Sequence, residues 1–221
     1  MRRFPAASNL KRRVERYVPK VELVNACEGR KTEPQYVRDC AAYYGAGLVS
    51  LRVIPETGVP LTVVRAAIEE KRRLLDSAKT RASRGLPSAF SVWAIFDKDD
   101  HEVEEAFALA SEHKIWVAFS NPCFELWPIL HLLDYGAQDG RHDLQRLLRG
   151  LMPKYDHEHG ATVDFDAIKE RFPIARERAA RLNRSRSDEM CTNGRPSTTV
   201  GELVAKILQN GKINFRERLE K

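Results

Sequence analysis

Ala89-Phe90-Ser91-Val92-Trp93-Ala94-Ile95-Phe96-Asp97-Lys98-Asp99-Asp100-His101 is an apolar run that ends abruptly in acids. The apolar part reads as a buried strand, with the acids at its carboxyl end. Strand side chains alternate, which predicts Asp97 and Asp99 on one side and Lys98 on the other. Two carboxylates aimed at one place repel, and a divalent cation with a preference for oxygen offsets that repulsion. A second apolar run, Val21-Glu22-Leu23-Val24-Asn25-Ala26-Cys27, ends in Glu28. Two strand ends that carry acids predict one metal site.

Around these runs the chain alternates strand and helix. Thr32 as N-cap and Pro34 just inside predict a helix to about Tyr44, stopped by Gly45 or Gly47. Leu48 to Ile54 reads as a strand closed by Pro55. A long helix follows from Thr62 to about Ala82, its buried stripe built from Val63, Ala67, Ile68, Leu74, Leu75 and Ala78. Glu102 to Glu112 is helical, Ile115 to Phe119 a strand, and Phe124 to Leu133 a helix. The fold class predicted is α/β: a mostly parallel sheet of about four strands flanked by helices, with a C-terminal helical extension. Such sheets bind ligands beyond the carboxyl ends of their strands, where Glu28, Asp97, Asp99 and Asn121 all fall.

From about Asp134 the pattern is helical. Leu144 to Leu151 marks one helix, Phe165 to Asn183 a second that Pro173 should kink or split, and Thr198 to Gln209 a third. The polar stretch from Arg184 to Pro196, with Gly194, reads as an exposed loop. Three parts are predicted: a basic arm over 1–19, the α/β domain over 20–134, and the extension over 135–221 packed on it. Exposed helices in that extension suit a homo-oligomer.

Of 221 residues, 43% are hydrophobic, enough for a sizeable core. No run is long enough to cross a bilayer or to form the apolar section of a signal peptide, so a soluble cytoplasmic protein without a membrane partner is expected. Cys27, Cys40, Cys123 and Cys191 are scattered without ligand spacing, which argues against zinc and disulfides. Cys27 and Cys123 read as small buried fillers. The net charge is +6. Arg2, Arg3, Lys11, Arg12, Arg13, Arg16 and Lys20 precede the first strand, and Arg176, Arg178, Arg181, Arg184 and Arg186 form a later stripe. Such blocks neutralise phosphates of DNA or RNA, or else line a solvated helix face.

Glu28-Gly29 after one strand and Asp97-Lys98-Asp99 after another resemble the Toprim pattern. That fold is shared by topoisomerases, bacterial primases and the nucleases of the overcoming-lysogenization-defect family. A narrower resemblance covers most of residues 20–210. Cys27-Glu28-Gly29-Arg30-Lys31-Thr32-Glu33-Pro34-Gln35-Tyr36, Phe96 to His101, Ser120-Asn121-Pro122-Cys123-Phe124-Glu125-Leu126-Trp127 and Pro196-Ser197-Thr198-Thr199-Val200 look like the RloB family. The resemblance implies a Toprim-like core, nuclease activity, and a place in anti-phage defence or a restriction-type locus beside an RloA-type ATPase. Relatives often carry an acid where this chain has Arg30, which adds positive charge near the site. No Gly-x-x-x-x-Gly-Lys-Ser/Thr loop is present, so any ATP requirement belongs to a partner.

Glu28, Asp97 and Asp99 are the primary expected ligands for Mg²⁺ or Mn²⁺, a hard cation that takes carboxylate oxygens and leaves positions for phosphate. The competing reading has Asp97 and Asp99 capping the next helix; capping explains one acid readily and three poorly. Glu33 and Glu125 are candidates for a second ion, or are helix-start acids worth about 0.3–1 kcal/mol each. Glu33 sits where the lysogenization-defect nucleases resemble it in having a further acid. His101 is a candidate general acid or base, or a loop hydrogen bonder. Lys31 would offset charge on a phosphate, or is a solvated loop lysine. Trp127 and His131, four apart on one helix face, fit core packing better than base stacking. The expected function is metal-dependent phosphodiester hydrolysis. The alternatives are a non-catalytic nucleic-acid-binding or sensor subunit, and phosphoryl transfer on nucleotides. No Tyr stands at an obvious topoisomerase-like position, which counts against covalent strand passage.

Overall fold

The computed structural model describes residues 19–55, 58–98, 102–155 and 162–211. Four parallel strands are β1 (Val21–Cys27), β2 (Val49–Pro55), β3 (Phe90–Asp97) and β4 (Trp116–Asn121). A two-residue β5 (Ser197–Thr198) pairs antiparallel with the end of β4, giving the order β2-β1-β3-β4-β5. The sequence showed no sign of β5, because two residues carry no periodicity; Thr198 had been assigned to the last helix. Central β1 and β3 are buried almost throughout, whereas edge strand β2 is half-exposed.

Alternation along the strands sorts two cores. Val24, Ala26, Val92, Ala94, Phe96 and Phe119 face α2 (Pro60–Ser83) and α3 (Glu104–Glu112). Helix α2 starts two residues earlier than the sequence suggested, because Pro60 lacks an N–H to lose and its fixed φ suits a first turn. Leu75 is exposed rather than on the buried stripe. Neighbouring helical positions point about 100° apart, and Leu74 takes the inward place.

On the other face Leu23, Cys27, Trp93 and Ile95 meet α1 (Thr32–Tyr43), α4 (Leu126–Leu132), α5 (Arg141–Leu151), α6 (Phe165–Ile168), α7 (Phe172–Asp188) and α8 (Val200–Asn210) in one continuous core. Pro173 splits rather than kinks the expected long helix: α6 passes through a 3₁₀ turn into α7, with the proline in the first turn of α7. The buried Trp127 anchors this layer. Its Nε1 donates to Tyr36 Oη at 2.6 Å, its carbonyl lies 2.9 Å from His131 Nδ1, and its ring leaves α8 only a glycine's room at Gly201. Trp127 and His131 are core residues. The four cysteines are free, and only Cys191 is exposed. No helix among the described residues is long and apolar enough to cross a membrane.

Because this core runs from the sheet into α8, Leu203→Ala, at a site with 0% exposure, should cost about 2–5 kcal/mol. Tryptophan fluorescence and far-ultraviolet circular dichroism are expected to report one shared, lowered melting transition. Two separate transitions would show that the late helices melt alone.

Candidate functional site

The carboxyl ends of β1 and β3 lie side by side, since Cys27 pairs with Ile95 and the Glu28 N–H donates to the Ile95 carbonyl at 3.0 Å. The chain therefore leaves β1 beside Asp97. Glu28 Oε2 accepts the Asp97 N–H at 3.2 Å, so one acid holds the backbone of the other. Asp97 Oδ2 in turn accepts the Phe124 N–H at 3.0 Å, across from the end of β4. Asp97 thus ties β3 to the turn that leads into α4. The capping alternative fails for this residue, because the helix that follows it, α3, has no side-chain cap.

Two further acids meet this pair. Glu33 sits in the first turn of α1, which begins at Thr32 with Lys31 as its cap rather than with a Thr32 cap. The Glu33 carboxyl folds back over Gly29 so closely that a Cβ there would fall 2.1 Å from Oε2, so any side chain at position 29 would push the Glu33 carboxyl aside. In that pose the carboxyl takes a hydrogen bond from its own backbone N–H. Glu125, 5% exposed, enters from the start of α4. Its Oε1 accepts from Tyr155 Oη at 2.5 Å and from Gln145 Nε2 at 3.5 Å.

The four acids feel one another. Burial pushes the Asp97 carboxyl well above the usual carboxylate range, with Glu33, Glu125 and Glu28 adding to the rise and the Phe124 N–H opposing it. Burial likewise pushes Glu33 up to about 7, helped by Glu125 and Glu28 and countered by its own N–H and by Arg141. Such a set of oxygen donors has the chemistry that suits a hard divalent cation. Their donor atoms nevertheless do not close on one point: among the described residues no group of three or more His, Cys, Asp or Glu side chains is gathered closely enough to hold a metal ion.

Asp99 and His101 lie outside the described residues. Lys31 is exposed; its carbonyl accepts the Gln35 N–H at 3.0 Å, and its ammonium makes no hydrogen bond or ion pair among the described residues. The late arginine stripe is largely engaged within the molecule. Arg176 pairs with Glu202, Arg181 with Asp134, Arg186 with Glu189, and Arg178 donates to the Leu130 carbonyl at 2.7 Å. Arg176 and Arg178 tie α7 to α8 and α4, Arg181 reaches the turn after α4, and Arg186 pairs at the end of its own helix. The early basic block up to residue 18 lies outside the described residues.

Asn121, expected to orient a ligand, instead holds a loop: its Nδ2 donates to the Asn193 carbonyl at 2.8 Å. The 184–196 stretch is accordingly not all loop. Helix α7 runs on to Asp188, and the rest is pinned at Asn121, at Asn183 and by Arg186, whose Nη1 donates to the Arg195 carbonyl. Arg141, Gln145 and Tyr155 were missed. They stand far along the chain in a segment with no acidic motif, and only the fold carries them to Glu33 and Glu125.

A carboxyl whose pKa is raised on folding adds most stability below its unfolded value and loses it as pH rises through the folded one. For Glu33 that window runs from 4.5 to about 7, and Asp97 shifts in the same direction. In chelator, the melting temperature should therefore fall between about pH 5 and about pH 8. Glu33→Gln and Asp97→Asn should flatten that fall and raise the melting temperature at the alkaline end by about 2–4 °C. Thermal melts across pH check this. An unchanged pH profile in both variants would show that folding does not raise the pKa of either carboxyl.

No curated protein and no solved structure matches this chain significantly. The model of one family, described as RloB-like protein, matches residues 23–207, a span that holds every acid of the cluster. The chain belongs to the RloB-like protein family.

Proposed function

We propose that this chain is a Toprim-like, metal-dependent nuclease that hydrolyses phosphodiester bonds of DNA or RNA. The observation that carries the reading is the placing of Glu28 and Asp97 at adjacent tips of a parallel sheet, joined by the Asp97 N–H to Glu28 Oε2 hydrogen bond, with Glu33 and Glu125 near enough to raise the Asp97 carboxyl pKa. Protein folds seldom gather four acids for stability, because each added charge raises the cost of the others. Glu28, Asp97 and Glu125 would hold Mg²⁺ or Mn²⁺, with Glu33 beside them and Asp99 added on its sequence position. The cation would supply Lewis acidity toward a phosphate oxygen and a more acidic water.

The protein's own groups do the positioning. The Phe124 N–H fixes the Asp97 carboxylate, the Asp97 N–H fixes Glu28, and Tyr155 with Gln145 fixes Glu125. Burial raises the Glu33 carboxyl to about 7 and shifts Asp97 upward too in the cation-free protein, so a cation bound among them would favour loss of their protons. Affinity should therefore tighten as pH rises through about 7, with proton release on binding. Lys31 adds positive charge at the exposed rim. Work beside an RloA-type ATPase in anti-phage defence forms part of the same proposal and rests on family membership.

The test uses purified protein with single- and double-stranded DNA and with RNA, each with Mg²⁺, Mn²⁺ or chelator. Metal-dependent cleavage is expected, falling about 100-fold or more in Asp97→Asn and Glu28→Gln while their melts stay cooperative. Binding of nucleic acid without cleavage in any form would contradict this and favour a non-catalytic binding or sensor subunit. Turnover of nucleotides alone would place the chemistry on small phosphates.

A further inference from the structure

Across the sheet edge from the acids lies a second feature. Asp97 and Ser120 are register partners, so alternation sends the next residues, Lys98 and Asn121, to the opposite face. There a cleft of about 690 Å³ opens between the start of α3 and the Cys191–Arg195 loop. Lys98 stands on one wall, Arg195 on the other, and Asn121 lies between them.

The loop that forms the far wall is built rather than slack. Asn121 holds the Asn193 carbonyl, Arg186 holds the Arg195 carbonyl, and the Gly194 N–H donates to the Cys191 carbonyl at 2.6 Å. Asn193 takes φ 65°, and a Cβ on Gly194 would come within 2.7 Å of the Cys191 carbonyl oxygen. These features fix the place of Arg195. Its Nε reaches Asn121 Oδ1 only at 3.5 Å, and its two terminal nitrogens make no hydrogen bond among the described residues. Lys98 Nζ has only Glu104 at 4.0 Å, a loose pair with the Glu104 side chain 72% exposed, and water weakens such a pair. Two cations therefore face a common space with their donors largely unspent, in a protein whose late arginines are mostly paired within the molecule.

We infer that the Lys98–Asn121–Arg195 cleft is a subsite for the sugar–phosphate backbone of a polynucleotide, one step from the carboxylates along the strand. The inference deepens the nuclease reading and rests on it. Carboxylates repel phosphate without a cation, so a chain crossing the sheet edge needs positive charge nearby to hold its register. The forked donors of Arg195 suit a phosphodiester. A polymer is favoured over a free anion because only a polymer spans both faces of the strand tips.

Cys191 reports on this space without any turnover. It lines the cleft and is the exposed thiol, while Cys27, Cys40 and Cys123 are buried. The experiment follows alkylation of Cys191 in the full chain under chelator, with fluorescent single-stranded DNA, RNA or duplex DNA, and reads binding by anisotropy in the same samples. A saturating oligonucleotide is expected to slow alkylation about tenfold, and inorganic phosphate to leave it unchanged. Arg195→Glu and Lys98→Gln should each weaken binding, the first by about tenfold with a salt dependence shallower by about one. Bound oligonucleotide with Cys191 alkylated at the free rate would overturn the subsite and leave the nuclease reading standing. Equal protection by inorganic phosphate would overturn the polymer assignment. Failure of every nucleic acid to bind in chelator would overturn the subsite, whereas the nuclease reading falls only if cleavage with Mg²⁺ or Mn²⁺ also fails.

Discussion

Burial of Asp97 and Glu33 among neighbouring acids at one sheet edge is the constraint around which the rest of this molecule is arranged. Parallel strands β1 and β3 deliver Glu28 and Asp97 to adjacent tips, while α1 and α4 start at the same edge and bring Glu33 and Glu125. None of these placements lowers the energy of the cation-free fold. The neighbouring groups temper the cost instead. Backbone N–H groups bond to Glu28, Glu33 and Asp97, Tyr155 and Gln145 bond to Glu125, and the positive charge of Arg141 lowers the pKa of Glu33. The remaining imbalance shows as raised carboxyl pKa values at Glu33 and Asp97, a pattern associated with functional sites.

That dependence explains why the late helices are integral to the site. Residues of α5 and of the segment after it touch Glu125 directly. The core that positions α5 also includes Cys27 and Ile95, which lie beneath the acids. Sheet and helices pack as one body of apolar side chains, so disturbance in α8 should reach the acids through Trp127 and Tyr36. The arginines of α7 serve the same end. Arg176 pairs with Glu202 of α8 and Arg181 with Asp134 just after α4, while Arg186 pairs with Glu189 at the end of its own helix, so these charges are spent within the molecule rather than on an open charged face.

Much of this architecture was legible in the sequence because the buried parallel strands β1, β3 and β4 are written as near-continuous apolar runs, each stopping at a polar residue. Glu28 and Asp97 could be read as neighbours from the rule that parallel strand ends share an edge. Glu33 and Glu125 were legible as candidates by their places near strand ends, though nothing local told a ligand from a helix-start acid. Three things stayed hidden. The partners Arg141, Gln145 and Tyr155 come from a segment whose approach depends on tertiary packing. The pairing of β5 spans two residues, too few for a period. The fate of the arginine stripe turned on acids on other elements, Asp134 and Glu202, which sequence spacing cannot connect to it. Asn121 was legible as important but its role was not, because its partner Asn193 lies 72 residues away.

The central claim is that the acids from β1, β3 and α4 exist to hold a hard cation. Anomalous diffraction at the manganese edge, from crystals of the full chain soaked in Mn²⁺, tests it most directly. The account expects a strong peak bounded by the carboxylates of Glu28, Asp97 and Glu125. An absent peak there, or manganese bound only elsewhere on the molecule, would contradict it.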